Sequence, residues 1–287
     1  MKNWALPPGW WGGTSAIKKT FVLRQGQLHR LPEGLTGMIP TNLDALANST
    51  LLSDGAKQRV AMEASLPPLE GDEDESIASF VTRRMGQEVY EQLVEPLMSG
   101  IYGGDGTQLS LAATFPQLRQ LERDHGSLIV GLLNSQKQTA SVPTYPPFVS
   151  FPSGMGELVA ALTDQLRDVE ICLGSRATQI TRSAAGPGYS VALEKQSQTE
   201  LHADVLIITT PAFVTAKLLG SIDPELAEAH AAIPYGSSAT ISLAYAADTI
   251  SALDGYGYVI PSVEGTDVLA CTWTSSKWRG RRPKHAR

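Results

Sequence analysis

The most constraining feature of this sequence is the stretch Glu75–Leu111, ESIASFVTRRMGQEVYEQLVEPLMSGIYGGDGTQLSL. Its apolar residues recur every three or four positions, which predicts an amphipathic helix packed on one face. They are Ile77, Phe80, Val81, Met85, Val89, Tyr90, Leu93, Val94 and Leu97. Pro96 is expected to kink or end this helix, and SGIYGGD supplies glycines for a turn at its end. In the acidic loop before the helix, Asp72 and Glu75 have the spacing of a capping box.

The composition is that of a folded, loop-rich protein with a substantial core. The chain has 287 residues, of which 42% are apolar, and it contains 26 glycines and 18 prolines. These values indicate one or two domains of mixed α/β or α+β class.

The charge is distributed unevenly along the chain. The net charge is −6, yet residues 277–287 contain six basic side chains and no acidic one. The acidic remainder argues against nucleic acid as a partner. We interpret the basic run as a solvated, disordered tail, with contact to phosphate or anionic lipid as the alternative.

Metal binding and membrane insertion have little support in the sequence. The two cysteines, Cys172 and Cys271, lack metal-site spacing and are expected to be buried free thiols. The five histidines are scattered, so no metal site is predicted. No run reaches the roughly 18 apolar residues of a membrane span, and the first residues do not resemble a signal peptide. The expected location is cytoplasmic, with peripheral contact at a membrane left open.

Further elements follow from periodicity and from turn residues. A hairpin is predicted around Gln25-Gly26, a helix over 115–133 interrupted by Gly126, and a second helix over 156–167. The proline-rich stretch 143–152 is expected to cross between domains. Short apolar or alternating runs predict strands at Val169–Leu173, Tyr189–Leu193, Val205–Ile208, Ala239–Ala246 and Tyr256–Ile260.

A search for nucleotide-binding loops gives a negative result. No G-x-G-x-x-G occurs anywhere in the chain, and neither a Walker loop nor an HExxH motif is present. The usual main-chain cradle for a pyrophosphate is therefore missing from these 287 residues.

Three segments together resemble the flavin-dependent protoporphyrinogen and coproporphyrinogen oxidases, within the flavin amine-oxidase superfamily. They are FVLRQGQLHRLPEGLTGMIPT; the opening stretch continued by AATFPQLRQLERDHGSLIVGLL; and FPSGMGELVAAL with GSRATQI, DVLIITTPA and LACTWTSS. The likeness covers roughly residues 15–278. It implies an incomplete FAD-binding domain, a mixed-sheet substrate domain and a small helical domain. The expected division is 1–54 for substrate-domain strands, 55–140 helical, 141–235 FAD-binding, and 236–287 for further substrate-domain strands with the basic tail.

The resemblance implies a substrate wall at the glycine turn. Gly100, Gly103 and Gly104 would let main chain approach a flat macrocycle, which a Cβ atom would obstruct. A plain helix C-cap is the alternative, and the residues alone favour it. Relatives often carry a basic residue where Thr20 stands here. Lys18, Lys19 or Arg24 would then have to meet the substrate's propionates.

The resemblance also implies cofactor-binding residues. Ala177 would contact the adenine of FAD through its main chain, and Thr209, Thr210 and Pro211 would lie near the flavin. Trp273 would approach the flavin and the substrate. The alternatives are an ordinary sheet edge, a simple strand end and a core tryptophan.

The implied reaction is FAD-dependent oxidation of a porphyrinogen to the porphyrin in haem synthesis. Hydride would pass to the flavin, and oxygen would reoxidise it. No catalytic side chain is identified, because no acid or base has a telling spacing. One alternative is another flavin amine oxidase or a desaturase. A further alternative is a truncated, non-catalytic remnant, because the glycine fingerprint and the C-terminal flavin-contacting segment of the family are not found. Weak FAD retention is therefore expected.

Overall fold

A mixed α/β architecture is observed in the computed structural model, as the sequence predicts. The structure describes residues 11–12, 19–138, 149–184, 186–194, 200–246, 248–250 and 253–278. The chain divides into two units, one of residues up to 158 together with those from 238 onward, and one of residues 159–237. The three-part division into named domains stays a prediction. Residues 143–148 of the proline-rich crossing lie outside the described residues, as does the basic tail from 279.

Short strands are found along the whole chain. They are β1 (Trp11–Gly12), β2 (Phe21–Arg24), β3 (Gln27–Arg30), β4 (Leu35–Thr36), β5 (Ile39–Pro40), β6 (Val149–Ser150), β7 (Arg176–Arg182), β8 (Tyr189–Glu194), β9 (Glu200–Ala203), β10 (Gly257–Val259) and β11 (Ala270–Thr272). One sheet has the order β11-β10-β2-β3; β10 runs parallel to β2, and the other two pairs are antiparallel. This is the expected mixed sheet.

Helices lie along the described chain and are most frequent between residues 43 and 138. They are α1 (Leu43–Ala47), α2 (Asp54–Ala61), α3 (Ile77–Met85), α4 (Gln87–Val89), α5 (Glu95–Tyr102), α6 (Leu111–Thr114), α7 (Pro116–His125), α8 (Leu128–Gln138), α9 (Gly156–Gln165), α10 (Ala212–Leu219), α11 (Pro224–Ala231) and α12 (Thr274–Lys277). Short 3₁₀ turns lie at Glu63–Ser65 and Ser262–Glu264, and a π-helical turn spans Tyr90–Val94.

The predicted hairpin is confirmed by β2 and β3. The turn residues Gln25 and Gly26 have φ values of 50° and 75°. Two consecutive positive φ angles suit the right-handed twist of a two-residue hairpin. Among the described residues other than glycine, Gln25 alone has a positive φ, and its N–H donates to both carboxylate oxygens of Glu264 at 3.0 and 2.9 Å.

The long amphipathic helix is real but divided. Gly86, at φ 99°, separates α3 from α4, and the π-turn separates α4 from α5. Pro96 lies in the first turn of α5, where its missing N–H costs nothing. The capping-box prediction is wrong, because Ser76 caps α3 by accepting a hydrogen bond from the Ser79 N–H.

The core lies between these helices and the hairpin. Every apolar position predicted for the helical face is buried except Leu97, which is partly buried against the same cluster. Phe80, Val89 and Leu93 are completely inaccessible to solvent. Each buried side chain of this size contributes about 1.5–3 kcal/mol relative to its exposed state. The helical segment therefore supplies most of this core, to which β2, β5 and α1 also contribute.

Buried ion pairs cross this helical core. Arg84 and Glu63 are fully buried, and the Arg84 Nε donates to Glu63 Oε1 at 2.8 Å. Glu63 Oε1 also accepts from the Leu128 N–H at 3.0 Å. Arg83 joins Glu75 at 2.7 Å and the buried Glu122 at 2.6 Å. Burial alone would raise the pKa of Glu122, but the hydrogen bonds and charge of Arg83 lower that pKa below 4.5.

The second unit is built around an antiparallel sheet of β7, β8 and β9. Helix α10 packs against β7, and α11 packs against α10. The Ser221 hydroxyl donates to the Ile180 carbonyl at 2.8 Å and so ties the end of α10 to β7. Three strands flanked by two helices leave much of this unit's apolar surface open.

Three strand predictions are wrong. Val169–Leu173, Val205–Ile208 and Ala239–Ala246 lie in no strand, although each has a strand-like apolar pattern. Most of their large apolar side chains are exposed. A strand needs a neighbour for its main-chain hydrogen bonds, and the described residues supply none at these places. The cysteine prediction is also wrong in part, because Cys172 is exposed and Cys271 is half-buried.

Candidate functional site

The glycine turn ends helix α5 with one open face. The Gly103 N–H donates to the Ser99 carbonyl at 2.8 Å, and Gly103 adopts φ 61°, a left-handed conformation that favours glycine. Gly100, Tyr102 and Gly103 are exposed, whereas Ser99 is buried. The turn is therefore a helix C-cap, and it also leaves main chain open to approach from outside.

The tightest glycine of this region is one that sequence reasoning missed. A Cβ atom on Gly106 would lie 2.5 Å from the Tyr90 hydroxyl and 2.6 Å from the Met98 Cε. On Gly104 it would lie 3.1 Å from Leu109, and on Gly100 it would make an ordinary contact. The repeated glycines of GGDG were the available signal. Gly106 is required for packing the turn under the preceding helix.

The π-turn before α5 contains an unusual polar side chain. Gln92 is buried, and among the described residues its Oε1 atom has no hydrogen-bond donor. π-turns interrupt α-helices mainly at functional positions, and an unpaired buried acceptor is costly. No sequence pattern had singled out Gln92.

Glu95 joins the start of α5 to the loop after β10. Its Oε2 atom accepts from the Ser262 N–H at 3.1 Å. Burial raises the pKa of Glu95 above its ordinary value of 4.5, and the charge of Asp105 acts in the same direction. The pKa of Tyr90 is raised to about 12, chiefly by burial. The negative charges of Glu95, Asp105 and Glu91 act in the same direction. The glycine turn therefore lies next to a partly desolvated, acidic environment.

An aromatic group lies at one end of the mixed sheet. The Trp273 ring is 5.9 Å from the Phe21 ring and 6.2 Å from the Tyr258 ring, between centroids. The Trp273 N–H donates to the Tyr256 carbonyl at 2.9 Å. Thr20 is half-buried beside Phe21, and its carbonyl accepts from the Leu31 N–H at 2.9 Å. The structure thus brings two predicted residues, Thr20 and Trp273, to the same end of one sheet.

The described basic side chains that were expected to bind the substrate's propionates in place of Thr20 form ion pairs with other residues. Lys19 pairs with Asp254. Arg24 pairs with Glu88 at 3.3 Å and donates to the Leu51 carbonyl. Lys18 lies outside the described residues. Neither described cation faces an open anion site.

The remaining cofactor candidates lie in the second unit. Ala177 is half-buried in β7, opposite Leu193, and the pairing shifts register just after it. In the described part of the chain β7 has a neighbour on one side only. Its other edge therefore has main-chain groups available for a ligand or for another strand.

Thr209, Thr210 and Pro211 lead directly into α10 and are exposed. The Thr210 hydroxyl shares a hydrogen bond with the Thr215 hydroxyl at 2.8 Å. The Ala212 N–H at the helix start donates to the Tyr235 hydroxyl at 2.9 Å. One helix N-terminal donor is therefore already satisfied within the protein.

These residues fit FAD only in part. The free edge of β7 suits a main-chain contact of the kind expected at Ala177. The sequence contains no G-x-G-x-x-G motif of the kind that forms a pyrophosphate cradle.

A cleft of about 230 Å³ is lined by residues other than these. It is lined by Asp72–Glu75 on one side and by Arg119 and Arg123 on the other. Its charges are matched internally, because Arg123 pairs with Asp72 at 2.7 Å and Arg119 pairs with Glu75 at 3.0 Å. It contains none of the predicted site residues and is a surface feature of the helical core.

Within the described residues, no helix is long and apolar enough to cross a bilayer. In the same part of the chain no group of three or more His, Cys, Asp or Glu side chains is arranged to hold a metal ion.

A family model for flavin-containing amine oxidoreductases matches residues 10–286, nearly the entire sequence. The chain belongs to this family. Membership agrees with the mixed α/β fold and with the segments that resemble porphyrinogen oxidases.

Within this family, the chain is similar to two proteins named as porphyrinogen oxidases. The chain is 33% identical over 276 residues to coproporphyrinogen III oxidase of Bacillus subtilis (strain 168), covering 94% of this chain and 57% of that protein. It is 30% identical to the chloroplastic protoporphyrinogen oxidase of Nicotiana tabacum, covering 92% and 50% of the two chains. The chain thus spans about half the length of these family members.

A solved structure shows the same fold. The crystal structure of a protein assigned as a protoporphyrinogen oxidase from Exiguobacterium sp. 255-15 superposes with a TM-score of 0.73 at 26% identity. The superposition covers 96% of this chain and 58% of that one. The fold is therefore shared over nearly all of this chain.

Proposed function

We propose that this chain contributes the substrate wall and part of the cofactor site of an FAD-dependent enzyme that oxidises a porphyrinogen to the porphyrin. Oxygen would be the electron acceptor, and haem synthesis the pathway. The observation that carries the proposal is the exposed glycine face of Gly100 and Gly103 at the end of α5. Relatives named as coproporphyrinogen and protoporphyrinogen oxidases support it.

The wall suits a large flat ligand for a steric reason. Glycines at exposed helix positions leave main chain uncovered, so a macrocycle can lie closer than any side chain would permit. Thr20 and Trp273 would approach the ligand from the end of the mixed sheet, where Trp273 offers an aromatic face. A bound flavin would supply the hydride acceptor, and the protein would orient the substrate.

The cofactor contacts would come from Ala177 through its main chain and from Thr209, Thr210 and Pro211. FAD retention by the 287 residues alone is expected to be weak, since they contain no G-x-G-x-x-G loop. Cytoplasmic location and peripheral membrane contact remain predictions.

Binding of the macrocycle can be tested without turnover. We would titrate the chain with coproporphyrin III and protoporphyrin IX, the stable products, and follow the shift of their main absorbance band. Gly100→Leu should weaken binding at least about tenfold. The leucine side chain would cover the exposed main chain and remove a contact with the macrocycle that contributes more than about 1.4 kcal/mol to binding. Gly55→Leu is the matched control, as Gly55 is also an exposed helical glycine. Equal binding by the two variants, or no binding by the wild type, would contradict the proposed wall.

Turnover is tested separately. The chain is incubated with FAD and desalted, and its flavin absorbance is recorded; porphyrin fluorescence is then followed in air from either porphyrinogen against a protein-free control. Porphyrin formation above the control with added FAD supports the enzyme. A colourless chain that binds neither porphyrin favours the non-catalytic remnant.

A further inference from the structure

Glu95 links the start of helix α5 to the 3₁₀ turn that follows strand β10. Its Oε2 atom accepts a hydrogen bond from the Ser262 N–H at 3.1 Å. Ser262 is the first residue of the turn Ser262–Glu264, so its N–H has no acceptor within that turn. The Glu95 carboxylate therefore caps the turn from a distant part of the sequence.

The turn that Glu95 holds is itself fastened to the mixed sheet. Glu264, its last residue, accepts the Gln25 N–H through both carboxylate oxygens. Gln25 lies in the hairpin that joins β2 to β3, and both strands belong to the mixed sheet. The turn is thus a fixed point of the sheet, and the Glu95 hydrogen bond attaches α5 to that point.

A second contact shows the direction in which α5 passes the sheet. A Cβ atom on Gly100 would lie 3.6 Å from the Val259 Cγ1 atom, an ordinary contact distance. Along α5 from Glu95 to this glycine, the neighbouring residue moves back from Ser262 to Val259. Helix and strand therefore run past each other in opposite directions, and the glycine turn at the end of α5 lies toward the start of β10.

The start of β10 is also where the predicted sheet residues lie. The Tyr256 N–H donates to the Lys19 carbonyl at 2.8 Å, and the Tyr256 carbonyl accepts from the Trp273 N–H at 2.9 Å. Thr20 directly precedes β2, which pairs in parallel with β10. Helix α5 therefore directs its glycine turn toward the end of the sheet with Thr20 and Trp273, and Glu95 anchors the other end of the helix.

The Glu95 carboxylate is held in surroundings that disfavour its charge. Its side chain is half-buried. Burial raises the pKa of Glu95, and the charge of Asp105 acts in the same direction. A carboxylate kept under such conditions beside a candidate site is more typical of a functional role than of a stabilising one.

We propose that Glu95 is a positioning residue for the macrocycle site. By accepting the Ser262 N–H, it fixes the glycine face of α5 relative to the sheet end that contains Thr20 and Trp273. Glu95 acts through the placement of α5, because a rigid, flat ligand loses contacts when one wall of its site is displaced. The inference rests on the proposed function, in which this face receives a porphyrinogen.

Titration of Ser262 variants with coproporphyrin III tests the bond from the side of its donor. Ser262→Pro removes the N–H at the first position of the turn, where proline is tolerated, and the preceding Pro261 is already extended at ψ 143°. This variant should bind the porphyrin at least about fivefold more weakly. Ser262→Ala removes only the side chain, keeps the N–H and should bind within about twofold of the wild type.

Glu95 variants test the same bond from the side of its acceptor. Glu95→Ala should weaken binding as Ser262→Pro does. Glu95→Gln retains an acceptor oxygen and should restore binding to within about twofold of the wild type. The double variant of Glu95→Ala with Ser262→Pro should bind no more weakly than either single variant, because both changes remove one interaction. Helical circular dichroism and the thermal unfolding midpoint are recorded for every variant.

The outcomes separate this inference from the proposed function. Wild-type binding that neither Ser262→Pro nor Glu95→Ala weakens overturns the inference alone. Equal weakening by Glu95→Gln and Glu95→Ala also overturns it, because the acceptor oxygen would then have no part. Binding losses that follow the fall in unfolding midpoint across all variants assign Glu95 a purely structural role. A wild-type chain that binds no porphyrin overturns the proposed function and this inference together.

Discussion

The helical segment 54–138 and the second unit, 159–237, use apolar residues in opposite ways. In the first, Phe80 and Leu93 are fully buried in a core made mostly by residues of the same segment, with contributions from β2, β5 and α1. In the second, Val205 and Ile207 have equally apolar side chains that remain in solvent. Helices satisfy their main-chain hydrogen bonds within one segment, whereas strands depend on partners from distant sequence. The first region therefore lies in a closed core in the described structure, whereas the second leaves large apolar side chains in solvent.

The largest expected effect in this comparison comes from removing one partner of the buried ion pair. Arg84→Met should destabilise the helical core by roughly 3–5 kcal/mol, because the fully buried Glu63 loses its counter-charge. Arg123→Met, which removes an exposed pair with Asp72, should cost less than about 1 kcal/mol. Urea unfolding followed by helical circular dichroism measures both. Similar costs for the two variants would show that Arg84 does not lie in a sealed core.

A direct comparison of the two regions comes from matched truncations. Phe80→Ala should cost about 3–5 kcal/mol through lost burial and a cavity. Ile207→Ala should change stability by less than about 0.5 kcal/mol, since its side chain is already in solvent. Denaturant midpoints at a constant slope give the two values. A large cost at Ile207 would mean that its segment is packed in solution.

Gly106→Ala probes the packing beneath the glycine turn. The added methyl group would lie 2.5 Å from the Tyr90 hydroxyl, so overpacking should cost about 1–3 kcal/mol. Gly55→Ala, in an open helix position, should instead be neutral or stabilising by up to about 1 kcal/mol. Thermal unfolding distinguishes them, and the idea fails if Gly106→Ala is as stable as the wild type.

The smallest expected effect is a pH dependence at Glu95. Because its pKa is raised in the folded state, its favourable contribution is present below pH 4.5 and is lost as the pH rises through the folded pKa. Glu95→Gln keeps an acceptor for the Ser262 N–H and should remove this loss. Stability profiles from pH 4 to 8 check it, with Glu91→Gln on the preceding π-turn as control. A wild-type slope that survives in Glu95→Gln would assign the effect to another group.

Local signals predicted the structure best. The Gln25-Gly26 turn fixes its own hairpin, because two positive φ angles are a property of those residues and their immediate neighbours. The apolar spacing from Ile77 to Leu97 likewise predicted a buried helical face, because that spacing is a property of one continuous segment. The start of α3 was missed, because the hydroxyl of Ser76 competes as a cap with the acids before it.

Signals that depend on distant partners were less informative. The pattern of Val205–Ile208 predicts a strand but does not supply its neighbour. The site shows the same limit: Gly100, Gly103 and Gly104 were identified from sequence, whereas Gln92 and Gly106 were not. Their importance depends on how the π-turn packs under the glycine turn, and one-dimensional spacing does not contain that contact.

The π-turn at Tyr90–Val94 adds a residue to the chain without turning the helix that follows. A π-turn and an α-turn each complete one revolution, but the π-turn holds about one residue more. Deleting one residue from Tyr90–Val94 would therefore restore a continuous α-helix and leave Gly100 and Gly103 facing almost the same direction. The extra residue lengthens the sequence before the glycine face and keeps that face in phase with the core.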